Sequence, residues 1–369
     1  MKWYTKILLW PILAVNLLVA AVLVGCAYSP MLPVADMPLL SLAGLAMPFV
    51  LGANLLFFVV WLLLYRPFML IPLITCLLCL PPIRTFMPVN LRYQQVPADG
   101  IKIMSYNILS TNLTSASAKK DNPMVTYLES SGADIICLQE FPYAVLKRGK
   151  DGADKLFADY PYKSYHKSSD SELKAHFLGC LSKYPILSVD NLEFKSSSNG
   201  CGKYRILYGT DTLVVYNCHL QSNGLNDSHK SAYEQLLTNP KDHIKSDTTK
   251  ELIKKLRDSA VKRAEQIDVI IADMQRETSP YIIVCGDFND SPISYTCKAL
   301  SKKLTSAYTV SGNGPGFSYN RHKLFYRIDH IFHTDAFNSY NCVVDRNIKI
   351  SDHYPISCYI KKADYTPLY

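Results

Sequence analysis

Two stretches near the start of the chain, Ile7 to Ala27 and Leu39 to Tyr65, contain no charged residue. Each is longer than the ~20 apolar residues that a membrane-spanning helix needs. A third apolar stretch, Pro67 to Ile83, is shorter and is broken by Pro72, Pro81 and Pro82. An ordinary soluble domain does not begin with three such runs. Residues 1–84 are therefore expected to form a transmembrane segment of two to three helices. Residues 85–100, with Pro88, Pro97 and Gly100, read as a linker, and 101–369 as a separate domain. The first run also has the form of a cleavable secretory signal, and Leu23-Val24-Gly25-Cys26 that of a lipobox.

Charge gives the expected orientation. Lys2, Lys6, Arg66, Arg84 and Arg92 are the only basic residues among the first hundred. Three spans put Lys2, Lys6 and Arg66 on the cytoplasmic side, which leaves the second domain extracytoplasmic. With only two spans the domain would be cytoplasmic. The spans hold no charged residue, and Asn16 and Asn54 are their only amides, so they lack the usual mark of a transport pathway. The second domain has a mild basic excess. That suits a phosphate-bearing ligand or an anionic surface, and falls short of the dense basic stripe of a dedicated nucleic-acid binder.

After Gly100 the pattern changes to short apolar runs of strand length. They are 101–106, 135–138, 178–181, 213–218, 282–285, 328–332 and 356–360. Helical spacing appears at 123–131 and again at 249–276, where Leu252, Leu256, Ala260, Ala264, Ile267, Ile271 and Met274 recur every three or four residues. Strands outnumber helices without strict alternation, so the class expected is α+β, sheets packed together with helices outside. The polar stretch Ser222–Thr248 reads as a long loop. Cys76-x-x-Cys79 sits in apolar surroundings and reads as plain hydrophobes, as do Cys137, Cys218 and Cys285 in strands. Cys180 and Cys201 could pair if the domain lies outside the cytoplasm.

The polar residues of interest close these runs: Asn107, Glu140, His219, the Gly286-Asp287-Phe288-Asn289 turn, Asp329 with His330, and Ser351-Asp352-His353. A buried strand holds its terminal residue rigidly, which is what catalysis or metal binding requires. Singly, each has a plain structural explanation. Strand alternation turns His330 away from Asp329, and His166, His176, His229, His243, His322 and His333 read as surface or loop residues. Asn107 and Glu140 are hard oxygen donors that suit Mg²⁺ or Mn²⁺, and the lack of clustered His or Cys argues against zinc.

Taken in order, these motifs resemble the endonuclease/exonuclease/phosphatase superfamily. The resemblance runs over most of 101–360 and is most specific at 286–289, 328–331 and 351–353. It implies a four-layer α/β sandwich, two face-to-face β-sheets flanked by helices. It implies catalytic roles for His353 as general base, Asp329 as its orienting partner, His219, Asp287 and Asn289, with Asp352 beside the metal. Lys183 stands where the family often has a basic residue, either contacting phosphate or carrying surface charge. The sequence is nearest the deoxyribonuclease and sphingomyelinase branches, as a membrane-anchored member of bacterial type. The expected activity is metal-dependent phosphodiester hydrolysis. The substrate expected is a phosphoester, a lipid headgroup or a nucleic acid. An endonuclease, or a binding module that keeps only the fold, is the alternative. No protein partner is implied.

Overall fold

A computed structural model describes residues 3–91, 95–113, 121–148, 152–167, 176–194, 196, 199–238, 246–321 and 326–363. The second domain is built on two six-stranded sheets. The first contains β1 (Ile101–Asn107), β2 (Ile135–Pro142), β3 (Tyr162–Lys167), β4 (His176–Ser182), β11 (Phe337–Val344) and β12 (Ile356–Lys362), in the order β11-β12-β1-β2-β4-β3. The second contains β5 (Ile186–Leu192), β6 (Gly200–Tyr208), β7 (Asp211–His219), β8 (Ile282–Asp287), β9 (Thr305–Ser306) and β10 (Asp329–His333), in the order β5-β6-β7-β8-β10-β9. Both sheets are mixed: β1–β2 and β7–β8 run parallel, while β1–β12 and β8–β10 are antiparallel.

Strand alternation divides the core into layers. Ile101, Ile103, Ile135, Leu213, Val215, Ile283, Cys285 and Ile331 point between the sheets. Met104, Tyr106, Ile136 and Leu138 point outward beneath the helix Pro123–Ser130. Val214, Tyr216, Ile282, Val284 and Phe332 meet the helix Asp247–Met274, with Ile267, Ile270 and Met274. The two sheets and the helices outside them make the sandwich expected.

The structure corrects the sequence reading in three places. The stretch 222–248 contains a helix, Asp227–Thr238, rather than only loop; residues 239–245 lie outside the described set. The helix was hard to read because it buries a narrow face, His229 and Ala232, against its neighbour. His229 and His333 are buried, not at the surface, and His166 is half-buried in β3; His243 and His322 lie outside the described residues. Cys180 and Cys201 are free, like all eleven cysteines, and Cys201 Sγ lies 3.3 Å from Cys218 on the neighbouring strand.

The helices Leu9–Met31 and Pro38–Leu64 are each long and apolar enough to cross a membrane. The pair Arg66–Leu78 and Leu80–Phe86, bent by 64°, adds a third if it acts as one span. The buried amides join these helices to each other. Trp61 Nε1 donates to Asn16 Oδ1 at 2.8 Å, and Asn54 Nδ2 to the Pro72 carbonyl at 3.0 Å. Bonds of this kind hold apolar helices together where water cannot compete.

This segment packs onto the sandwich. Ile293 of the sandwich is buried among Leu23, Cys26, Ala27, Met47 and Phe86. The 3₁₀ turn Leu42–Ala46 lies so close that a Cβ on Gly44 would stand 2.1 Å from the Ile293 carbonyl oxygen. Arg327, fully buried, donates to the carbonyls of Thr85 at 2.7 Å and Pro315 at 2.6 Å, and more weakly to Phe86 at 3.4 Å. Its guanidinium also lies 4.1 Å from the Tyr308 ring centroid.

Candidate active site

At one end of the sandwich the inward-facing apolar rows turn polar. In β8 the row Ile283, Cys285 continues to Asp287. In β10 the inward side of Ile331 is shared by Asp329, while His330 turns outward, packing on Phe288 and reaching the Asp290 carbonyl at 3.0 Å. In β7 the row continues through Asn217 to His219, and in β1 to Asn107. The pairings His219↔Asp287 and Asp329↔Asp287 then set three of these side chains next to one another.

Glu140 breaks this parity. By alternation it would point outward with Leu138. Its φ of 55° and the register shift between Leu138 and Phe141 turn the side chain into the site. A bulge that re-aims one side chain is a common device beside functional sites, and a left-handed φ on a non-glycine residue is strain that the surroundings must hold. Gly286 serves the same end: at φ 139° its missing Cβ would lie 1.9 Å from the Cys218 carbonyl oxygen. Only glycine lets Asp287 come up beside His219.

His353 Nδ1 lies 2.8 Å from Asp329 Oδ2, both groups buried, and His353 Nε2 lies 3.6 Å from Asp287 Oδ2. Asp287, Asp329 and His353 each bring a ligand atom within 4.8 Å of the others, a spacing that could hold a metal. Asn107 Nδ2 donates to Asp287 Oδ2 at 3.0 Å and Glu140 Oε1 at 3.1 Å, bridging the two sheets. His219 Nε2 stands 3.8 Å from both Glu140 and Asp287. Asn289 donates its backbone N–H to Asp287 Oδ1 at 2.9 Å and its side-chain amide to the Leu220 carbonyl at 3.1 Å. Asp352 lines the same cleft, of about 280 Å³.

Burial opposes a charge on His353, but the Asp329 and Asp287 carboxylates raise its pKa above the ordinary histidine range. Burial raises Asp329 as well, against the pull of His353. Among the described residues, no Lys or Arg pairs with Glu140, Asp287, Asp329 or Asp352. Their partners are two imidazoles and neutral donors, the Asn107 amide, the Asn289 N–H and the Ser351 hydroxyl, and Asp329 Oδ1 is buried without a hydrogen bond. Crowded hard oxygens so short of positive charge fit a divalent cation.

The structure thus brings together Asn107, Glu140, His219, Asp287, Asn289, Asp329, Asp352 and His353. Lys183 lies elsewhere, its ammonium 3.0 Å from Asp134. Sequence reasoning missed the supports behind the site. Ser318 Oγ accepts the Asp329 N–H at 3.0 Å. Ser351 Oγ donates to the Asn107 carbonyl at 2.8 Å. Gln139 Nε2 donates to Asn217 Oδ1 at 2.6 Å across the sheets. Parity could have found the last pair, since Gln139 and Asn217 fall on the inward rows of their strands. It also missed Leu42, Leu45, Tyr233 and Tyr326, which line the cleft.

A two-sheet sandwich with a buried carboxylate–imidazole cluster at the end of its central strands is the architecture of a phosphoesterase-type domain. The Endonuclease/Exonuclease/phosphatase family model matches residues 104–353, and the chain belongs to that family. Residues 5–86 match a domain of unknown function (DUF8431). No curated protein matches the chain. Among solved structures, the human Nocturnin catalytic domain with bound sulfate is 15% identical, with a TM-score of 0.50, covering 73% of this chain and 97% of that one. D. rerio TDP2 complexed with a single-strand DNA product is 17% identical, with a TM-score of 0.49 and coverages of 71% and 99%. An endonuclease/exonuclease/phosphatase from Beutenbergia cavernae is 14% identical, with a TM-score of 0.49, covering 72% of each chain. At 15% identity the likeness to the Nocturnin domain is one of fold alone.

Proposed function

We propose that the protein is a membrane-anchored, divalent-metal-dependent phosphodiesterase. The observation that carries this reading is the buried Asp329–His353 pair at 2.8 Å, whose free ring nitrogen faces Asp287 in the cleft that Glu140 and His219 also line. Asp329 holds Nδ1–H and so fixes the ring and its tautomer. Nε2 accepts a proton from a water as that oxygen bonds to phosphorus. Asp287 orients the water. The ester P–O bond breaks as His219 donates to the departing oxygen. Asn289 keeps Asp287 in place through its backbone N–H. Glu140, Asn107 and Asp352 are the groups we assign to Mg²⁺ or Mn²⁺, because the atoms joining Asp329 to His353 are engaged with each other. Bound there, a divalent cation would neutralise charge on the phosphoryl oxygens and offset the field of the carboxylates around His353.

The helix Met47–Leu64 starts against the sandwich at Met47 and ends about 27 Å away, beside Arg66. The bent pair then returns the chain to the sandwich at Phe86. This supports three spans, with the domain opposite Lys6 and Arg66 and so extracytoplasmic. The test of activity uses the purified full chain in detergent with bis(p-nitrophenyl) phosphate. Hydrolysis should require Mg²⁺ or Mn²⁺, stop with EDTA, and be lost in His353→Ala. A folded, metal-supplied protein without hydrolysis would refute the reading. Protease digestion of the domain in right-side-out vesicles, with a cytoplasmic marker protein left intact, would support the orientation; digestion only in inside-out vesicles would overturn it.

A further inference from the structure

The cleft has two unlike walls. One is the carboxylate–imidazole cluster. The other is apolar, and part of it comes from the membrane segment: Leu42 and Leu45, facing Leu225, Tyr233 and Leu256 of the sandwich. Leu42 and Leu45 belong to the 3₁₀ turn Leu42–Ala46, near the start of the apolar stretch Pro38–Leu64 and running directly into the helix Met47–Leu64. The turn is fixed there. Gly44 presses on the Ile293 carbonyl, Tyr326 Oη donates to the Leu45 carbonyl at 3.3 Å, and Tyr326 Oη meets Tyr233 Oη at 2.8 Å. Leu42 and Leu45 are only half-buried, so apolar surface stays open beside the site.

We propose that the N-terminal segment forms part of the substrate site. Leu42 and Leu45 make the subsite for the apolar portion of an amphiphilic phosphoester, a lipid taken from the bilayer in which the segment lies. The proposal rests on the phosphodiesterase reading above and names the substrate class for that site. A water-soluble phosphodiester or a nucleic acid strand would leave the leucine wall in contact with water. A lipid whose phosphate reaches Asp287 and His353 would cover the wall with its chain. The turn runs directly into the apolar helix Met47–Leu64, so the chain of such a lipid can pass from bilayer to cleft along one continuous apolar surface.

The test compares methyl and octyl p-nitrophenyl phosphate on the full chain in nanodiscs. Both release the same chromophore from the same phosphodiester, and only the apolar group differs. If three or four methylenes are buried on the leucine wall, the octyl ester should exceed the methyl ester in kcat/KM by about a hundredfold. In Leu42→Ala/Leu45→Ala that preference should fall about tenfold or more, because the octyl ester loses the leucine wall that the methyl ester does not cover. Ile253→Ala, at an exposed position on the helix Asp247–Met274, should alter neither value. A preference that survives in the double variant would mean that the octyl ester merely partitions into the bilayer, and would overturn the proposal. So would equal losses on both esters. Binding of octylphosphonate and methylphosphonate, measured by calorimetry, separates the two claims. If neither ester is hydrolysed but wild type binds the octyl compound more tightly and the double variant does not, the phosphodiesterase reading fails and the subsite stands. If both esters are hydrolysed without an octyl preference, the reverse holds.

Discussion

Replacing Arg327 with Met should loosen the N-terminal helical segment from the sandwich. The guanidinium is fully buried, no carboxylate among the described residues pairs with it, and burial lowers its pKa to about 10. Its partners are carbonyls at 2.6 and 2.7 Å, one of them Thr85 near the end of the helix Leu80–Phe86. Helix ends leave such carbonyls without intrahelical donors. Methionine fills much of the stem volume but strands both oxygens, at a cost of about 1–3 kcal/mol each. Removing an unpaired buried charge recovers part of that loss. The balance expected is a destabilisation of about 3 kcal/mol, or roughly 6–12 °C in melting temperature. The tryptophans offer a direct assay, because Trp3, Trp10 and Trp61 all lie in the N-terminal segment. Tryptophan fluorescence then reports on the segment, and the β-sheet circular dichroism signal on the sandwich. In wild type the two should melt together. In Arg327→Met the sandwich should melt first and apart from the segment. Arg327→Lys should behave almost as badly, since one ammonium cannot span carbonyls placed for a planar fork. If Arg327→Met melts as one unit within 1 °C of wild type, the clamp contributes nothing and the reasoning fails.

Other perturbations read other parts of the molecule. Asp329→Asn should reduce kcat on the chromogenic diester by on the order of a thousandfold or more while leaving KM nearly unchanged, because the amide cannot hold His353 in the required tautomer; steady-state kinetics would detect it. Gly286→Ala forces a Cβ onto the Cys218 carbonyl at a left-handed φ, so a loss of more than about 4 kcal/mol or failure to fold is expected, and a soluble, active, equally stable variant would contradict the strand geometry. Burial lowers the His166 pKa from 6.5 to about 4. The unfolded chain therefore takes up a proton at this position between those values, and stability falls as the pH drops below about 6.5, by up to ~1.4 kcal/mol per pH unit. In His166→Gln the acid-side slope should be shallower by that amount, as measured by denaturant unfolding at pH 7, 6 and 5.

Much of the site could be read from strand alternation. Asp287 follows Ile283 and Cys285, and His330 turns away from Asp329, as a period of two requires. Glu140 was identified by type and position, yet nothing local announces the left-handed backbone that turns it inward. The edge strand β5 escaped notice because most of its side chains are exposed, which leaves no apolar run to find. β6 escaped too: Lys203 in its middle lies among buried neighbours, held by Asp273 at 2.7 Å near the end of a distant helix and by Glu277 at 2.9 Å just beyond it. The helix Asp227–Thr238 and the leucine wall share a further limit. Their roles come from surfaces that other parts of the chain bring to them, and a sequence window carries no sign of such a neighbour.

The pairing of β12 with β1 sets a timetable for synthesis. Ile101 of the first strand stands opposite Ile360 of the last, and Ser351, next to the imidazole-bearing end of the site, bonds back to Asn107 across 244 residues. As the chain leaves the ribosome, the apolar helices emerge before any strand of the sandwich. The acidic half of the site follows. The imidazole of His353 arrives only when the closing strand is released. Until then the chain carries the carboxylates of the cluster without the imidazole that pairs with Asp329.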